Sequence, residues 1–356
     1  MERWNIGLMG FQTCGSAILH YSIIPAEISR MLKNCTLVCL VILAMLPATG
    51  FCQSKVKFPY SISSKSVGYG PMLASAKLGF MEREELEPQL VYVRGADKSL
   101  AALVSGSVYV SASGSDAHIA AVERGVELLM IGGTINGLSQ VIMAQKNFKS
   151  LNDLRGATIG ATSVTSGLGV ALRRYMKAKG MEFGRDYQIL ATGSAGPTLA
   201  ALTSGQVQAA ALGVPLNFVA ADQGYNPVGR IVDVIPSYQF GAFSVARSVA
   251  EKNRALIVRF MRAMVSVHRW FYANKDGAVA FLAKELDLTQ DYARRGWEYY
   301  VENKIWPNDA SVNIEGMNVA TQIYWEASQS KGPAPSAAKY VDHSFLRDAV
   351  KDLSTR

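Results

Sequence analysis

The sequence predicts an α/β protein of two Rossmann-like lobes joined by two crossover strands, with a C-terminal helical extension packing on lobe one. Three observations carry that reading: an internal repeat, alternating strand-like and helix-like segments inside each copy, and glycine-, serine- and threonine-rich connections before the helices. Leu100-Ala101-Ala102-Leu103-Val104-Ser105-Gly106 returns as Leu199-Ala200-Ala201-Leu202-Thr203-Ser204-Gly205. Without a gap, Val108 then falls on Val207, Ala112 on Ala211, Gly114 on Gly213 and Gly125 on Gly224. Upstream, Ile62 to Val67 overlies Ile159 to Val164, and Gly70 overlies Gly167. Two similar lobes have a cleft between them, and a cleft is where small molecules bind.

In the first copy, Val56 to Ile62 has strand character, with Pro59 suited to an edge or a strand start. Residues 63–70 read as a loop, and Pro71 to Leu78 as a helix stopped by Gly79. Gln89 to Val93 is the next strand, followed by a helix that Asp97 can cap and Gly106 closes. Val108 to Val110 is a third strand, and Ser113-Gly114-Ser115-Asp116 opens a helix running to Gly125. The second copy repeats this order: strands at Thr158 to Gly160, Tyr187 to Leu190 and Val207 to Leu212, and helices at Leu172 to Lys179, Pro197 to Ser204 and after Asn217. Such alternation predicts parallel sheets. Residues 139–145 and 239–246 are apolar, strand-like and natural crossovers between lobes. Lobe one is therefore assigned 53–143 plus 240–350, and lobe two 144–239. Four helices follow at 253–272, 276–286, 289–303 and 314–329, whose aromatics (Trp270, Phe271, Trp297, Tyr300, Tyr324, Trp325) are assigned mostly to packing.

The composition narrows the class. Hydrophobic residues at 49% and charged ones at 18% of 356 suit a folded protein of two domain-sized cores. The net charge of +8 is spread along the chain with no basic run, so nucleic acid is not expected as a partner. All four cysteines (Cys14, Cys35, Cys39, Cys52) precede residue 53, which leaves the body without a disulfide, a thiolate metal site or a cysteine nucleophile. Residues 1–52 read as a leader. Its apolar run from Cys35 to Leu46 is shorter than the roughly 20 residues of a membrane span and has the length of a signal-peptide core. The signal is placed at 31–52, with Met31 as a start and the residues before it as a misassigned beginning. Phe51 stands where a lipoprotein signal needs a small residue, which disfavours lipid attachment at Cys52.

The informative loops are 63–69, 113–116, 162–167 and 213–217, each at the C-terminal end of a strand and before a helix. Free N–H groups and the helix dipole at such starts favour anionic or strongly polar groups. The candidate ligand-binding residues are Ser64, Lys65, Ser66, Tyr69, Ser113, Ser115, Asp116, Thr162, Ser163, Thr165, Ser166 and Asn217. Ordinary helix capping explains any one of these hydroxyls; their recurrence in the same loop of both copies points to a ligand. Lys65 and the hydroxyls favour an anion, whereas Asp116, if it faces the cleft, favours a cationic or donor-rich heterocycle.

Several segments resemble those of extracytoplasmic solute-binding proteins. Gly79 to Glu87 is similar to the segment after their first helix, Leu151-Asn152-Asp153-Leu154-Arg155-Gly156 to the one that enters their second lobe, and Leu199 to Ala210 to a third motif. The set resembles the nitrate/sulfonate/taurine-type and thiamine-pyrimidine-precursor-type binding proteins of ABC importers, over about residues 56–350. Glu85 and Gln208 depart from the usual Gly and Asp. The resemblance implies a type II periplasmic-binding-protein fold, a small-molecule solute held in the interlobe cleft, a periplasmic location, and delivery by a monomeric receptor to an ABC permease in the inner membrane. No cofactor and no metal are implied. Signatures of common hydrolases, nucleotide-binding enzymes and zinc proteases are absent, so no enzyme is expected. The alternative is an enzyme or ligand-sensing receptor of the same fold acting on a pyrimidine-like or aromatic small molecule.

Overall fold

Ten strands form two five-stranded sheets in the computed structural model, which describes residues 55–355. The leader, its signal segment and all four cysteines lie outside the described residues. The first sheet has the order β2-β1-β3-β10-β4, from β1 (Val56–Ile62), β2 (Leu86–Tyr92), β3 (Val110–Gly114), β4 (Leu128–Ile135) and β10 (Gly241–Ala246). The second has the order β7-β6-β8-β5-β9, from β5 (Val141–Ala144), β6 (Ala157–Ala161), β7 (Tyr187–Ala191), β8 (Ala209–Leu212) and β9 (Asn226–Arg230). The repeated strands occupy the same places in the two sheets, as the repeat requires.

Both sheets are mixed, which corrects the expectation of parallel ones. β10 runs antiparallel to β3 and β4, and β5 antiparallel to β8 and β9. A strand that arrives from the other lobe, without a crossover helix on its own sheet, can enter reversed. The connecting peptides are 136–140 and 231–240, and Gln239 ties them together. Its buried amide donates to the Ile135 and Gly241 carbonyls at 3.3 and 2.5 Å and accepts from Asn313 N–H at 2.7 Å.

The helices in chain order are α1 (Gly70–Lys77), α2 (Ala96–Val104), α3 (Ser115–Glu123), α4 (Gly167–Ala178), α5 (Ala195–Thr203), α6 (Leu216–Asp222), α7 (Arg247–Lys252), α8 (Arg254–Ala273), α9 (Lys275–Leu286), α10 (Gln290–Glu302), α11 (Ile314–Ala327) and α12 (Ser344–Ser354). α8 lays an apolar face on the first sheet, where Phe260 stacks on Phe58 at 5.0 Å and meets Phe243 edge-on at 5.3 Å. Trp306, fully buried, donates its indole N–H to the Gly68 carbonyl at 2.9 Å and packs against Phe271 and Tyr300. It thereby fastens the C-terminal helices to the loop after β1. Arg262 of α8 reaches Glu84 on one side and Asp352 of α12 on the other, each at 2.6 Å. No helix among the described residues is long and apolar enough to cross a membrane.

Among the described residues, two histidines are fully buried. His118 meets the Ser244 hydroxyl at 2.8 Å, and His268 donates to the Met264 carbonyl at 2.7 Å. Burial holds His118 down at about 3 and His268 at about 4. The unfolded chain protonates both near pH 6.5, so below that pH it binds protons that the folded protein refuses. Stability therefore falls with falling pH between about 6.5 and 4, by up to about 1.4 kcal/mol per pH unit for each histidine. Urea unfolding at pH 7, 6 and 5 is expected to show this slope before the carboxylates titrate; a flat profile would mean that the histidines are not buried neutral.

Candidate functional site

The lobes meet where the start of α3 faces the start of α4. β3 delivers Ser113 and Gly114 to the sheet end, and the chain turns directly into α3 at Ser115. Ser115 is fully buried and anchored to the second connection: its N–H donates to the Phe240 carbonyl at 3.1 Å and its hydroxyl to the Gln239 carbonyl. That anchoring aims the next residue outward. Asp116 Oδ2 accepts a hydrogen bond from Gly167 N–H, the first residue of α4, at 2.8 Å. A carboxylate on one lobe thus caps a helix of the other, the placement that the helix dipole favours.

Around this contact lies a cavity of about 190 Å³. Its polar lining is Asp97, Asp116, Ser163, Thr165, Ser166 and the Tyr238 side chain. Ala117, Ala120 and Val170 form one apolar wall, and Ala320, Ile323, Tyr324 and Ala327 form the other. The second wall is one helical stripe of α11, at spacings of three and four residues. Tyr238 is 2% exposed, and burial, reinforced by the Asp116 charge, holds its hydroxyl protonated far above the usual range. The same carboxylate helps raise Tyr69 to about 12, where burial is the main cause and the Ser63 hydrogen bond opposes it.

Of the twelve residues proposed from the sequence, the cavity gathers Asp116, Ser163, Thr165 and Ser166. The Ser163 hydroxyl accepts from the N–H groups of Thr165 and Ser166 at 3.2 and 3.1 Å, and the Ser166 hydroxyl caps Gly169 at 3.5 Å. Both hydroxyls therefore already hold their own turn. Ser113 takes the Ser111 hydroxyl at 3.2 Å, at the end of a buried row through Ser99 to Ser61. Tyr69 and Ser63 share a hydrogen bond of 2.8 Å. Ser64, Ser66 and Thr162 are half-buried and do not line the cavity. Lys65 is exposed, its ammonium 5.7 Å from the Tyr92 ring at the edge strand β2. Asn217 lines a different space, a groove of about 390 Å³ with Val141, Met143, Phe218, Arg230 and Tyr299. His118 packs beneath α3 against Ser244 and is not in the cavity lining.

Sequence reasoning missed Asp97, Tyr238 and the α11 wall. Asp97 reads as an N-cap, but Gly95 is the cap and Asp97 stands one position into α2, on the cavity. Tyr324 had the helical spacing of a packing residue, and only the tertiary arrangement turns it to the cleft.

The fold is that of the type II periplasmic binding proteins. The chain is similar to the periplasmic aliphatic sulphonate binding protein SsuA of Escherichia coli at 20% identity, covering 82% of this chain and 91% of that one with a TM-score of 0.63. It is similar to the periplasmic nitrate-binding protein NrtA of Synechocystis PCC 6803 at 14% identity, covering 85% and 90% with a TM-score of 0.66. The desulfurization enzyme DSZB aligns at 13% identity over 84% of this chain and 99% of that one, with a TM-score of 0.66. At such identities the likeness speaks for the fold alone. No curated protein matches the chain by sequence. The family model described as NMT1/THI5 like matches residues 67–278, more than half of the chain, with the polar lining of the cavity but not its α11 wall, and the chain belongs to that family.

Proposed function

We propose that this chain is an exported solute-binding protein of an ABC importer, which captures a small polar organic solute between its lobes and hands it to a membrane permease. The lobes of this reading are 53–143 with 240–350, and 144–239, the first boundary drawn back into 136–140 because all of β5 pairs within the second sheet. The observation that carries it is the interlobe hydrogen bond from Gly167 to Asp116 beside a small cavity lined from both lobes. A contact of that kind exists only while the lobes are together, so a solute bound there is held by closure. The named activities of two neighbours, sulphonate binding and nitrate binding, support capture without conversion. A second reading, an enzyme, has the desulfurization enzyme in its favour. Against it, the lining offers hydroxyls and carboxylates with no histidine beside them to act as base.

Thermal-shift screening against sulfonates, aromatic carboxylates, nitrate, pyrimidines and amines identifies a solute; small-angle X-ray scattering then tests closure. The scattering radius is expected to fall when that solute is added. An unchanged radius at saturation would count against a hinge-closing receptor.

A further inference from the structure

We infer that the interlobe cavity selects a small organic cation bearing N–H donors, an ammonium or amidinium, rather than an anion. The inference rests on the receptor reading and names the chemical class of its ligand. Three observations carry it.

The backbone N–H donors that would hold an anion at this helix start are already engaged. Gly167 N–H is given to Asp116, Gly169 N–H to the Ser166 hydroxyl, and the N–H groups of Thr165 and Ser166 to the Ser163 hydroxyl. An anion at the start of α4 must displace a carboxylate that belongs to the protein.

The cavity's charges are negative. Asp97 and Asp116 both line it, and no lysine or arginine is among the lining residues. Lys65, the one cation in the loops paired by the repeat, sits over Tyr92 at the sheet edge. The helix start contributes about half a positive charge, which two carboxylates outweigh.

Tyr238 supplies an independent sign of a ligand. It is 2% exposed and lines the cavity, yet its hydroxyl makes no hydrogen bond among the described residues. The ring is packed away while the unpartnered hydroxyl is left to whatever occupies the cavity. It lies at the Asp116–Gly167 contact, since a Cβ added to Gly167 would stand 2.5 Å from the Tyr238 oxygen and 3.0 Å from the Asp116 Cβ. An ammonium or amidinium N–H placed there meets the phenol oxygen and a carboxylate together, while its hydrocarbon part rests on Val170, Ile323 and Tyr324. The volume of about 190 Å³ is below the roughly 300–1,000 Å³ of sites for drug-sized molecules, so the ligand is small.

The test is isothermal titration calorimetry on the full chain at pH 7 with charge-matched probes. These are n-butylammonium against butyrate and butanesulfonate, acetamidinium against acetate, and benzamidinium against benzoate, with nitrate as a further anion. The cations are expected to bind at least about tenfold more tightly than their anionic partners, the scale of one charge-assisted hydrogen bond. Asp116→Asn is expected to weaken cation binding about tenfold; Asp97→Asn, whose carboxylate is exposed and screened by water, and Tyr238→Phe are each expected to weaken it by a few fold. Asp97 takes no part in the contact with Gly167, so its variant reads charge without touching closure. Anions binding more tightly than cations would overturn the inference and leave the receptor standing, as would cation binding that neither aspartate variant weakens. No saturable binding by any probe would overturn the inference and the receptor reading together.

Discussion

Replacing Trp306 by alanine is expected to lower the unfolding free energy by about 3–5 kcal/mol, the cost of emptying a fully buried aromatic site. The indole touches Phe271 at 5.0 Å and Tyr300 at 4.7 Å between ring centroids, and its N–H satisfies the Gly68 carbonyl at 2.9 Å. Gly68 itself is so closely covered that an added Cβ would meet Ile135 at 2.7 Å and the Tyr300 hydroxyl at 2.8 Å. The neighbours therefore have little freedom to collapse into the gap. Trp306→Phe keeps most of the packing and loses the hydrogen bond, so about 1 kcal/mol is expected from it. Urea denaturation of the three proteins measures both differences. Equal midpoints for wild type and Trp306→Ala would show that the C-terminal helices are not fastened through this residue.

The second large effect is on binding and not on stability. Gly167→Ala places a methyl group 2.5 Å from the Tyr238 oxygen and 3.0 Å from the Asp116 Cβ. Tyr238 is buried and Asp116 is fixed by the anchored start of α3, so neither gives way cheaply. Overpacking of this kind costs roughly 1–3 kcal/mol, and lobes that can separate avoid that strain by staying apart. Solute affinity is then expected to fall about 5- to 150-fold, while thermal stability holds or rises, because alanine suits a helix better than glycine by up to about 1 kcal/mol. Calorimetry and thermal melting on the same samples separate the two effects. Unchanged affinity in Gly167→Ala would place the solute away from this contact.

The likeness of the two lobes was legible because glycines and small residues hold fixed places in the repeat. β1, β2 and β3 stand in the first sheet as β6, β7 and β8 stand in the second. Helices α8 to α11 were legible from apolar spacing to within about two residues at their ends, whereas α12 was not anticipated. β4 was not. All eight of its residues are buried, so it shows no alternation, and two adjacent glycines lower its strand character. Gly133 is there because a Cβ would stand 2.2 Å from the Ser311 carbonyl oxygen. β9, with a proline and a glycine in five residues, reads as loop for a related reason. The direction of β5 and β10 depends on which lobe the chain arrives from, which local pattern does not encode.

At the site, the hydroxyl-rich loops pointed to the right places and to an incomplete chemistry. Ser163 and Ser166 hold backbone N–H groups of their own turn, the ordinary capping role that single residues of this type usually have. What distinguishes the cavity is Asp97, Asp116 and Tyr238, three residues 19 to 141 positions apart that the packing of α2, α3 and the second connecting peptide brings together. Nothing in the local sequence around Tyr238 marks it, since it stands just before an apolar strand.

The most direct test of solute capture is equilibrium dialysis of the purified protein against a bound solute, with mass spectrometry of what is recovered. One equivalent of solute per chain, released chemically unchanged on denaturation, is the result expected of a receptor. Recovery of a converted product without any added partner would contradict it and make the protein an enzyme.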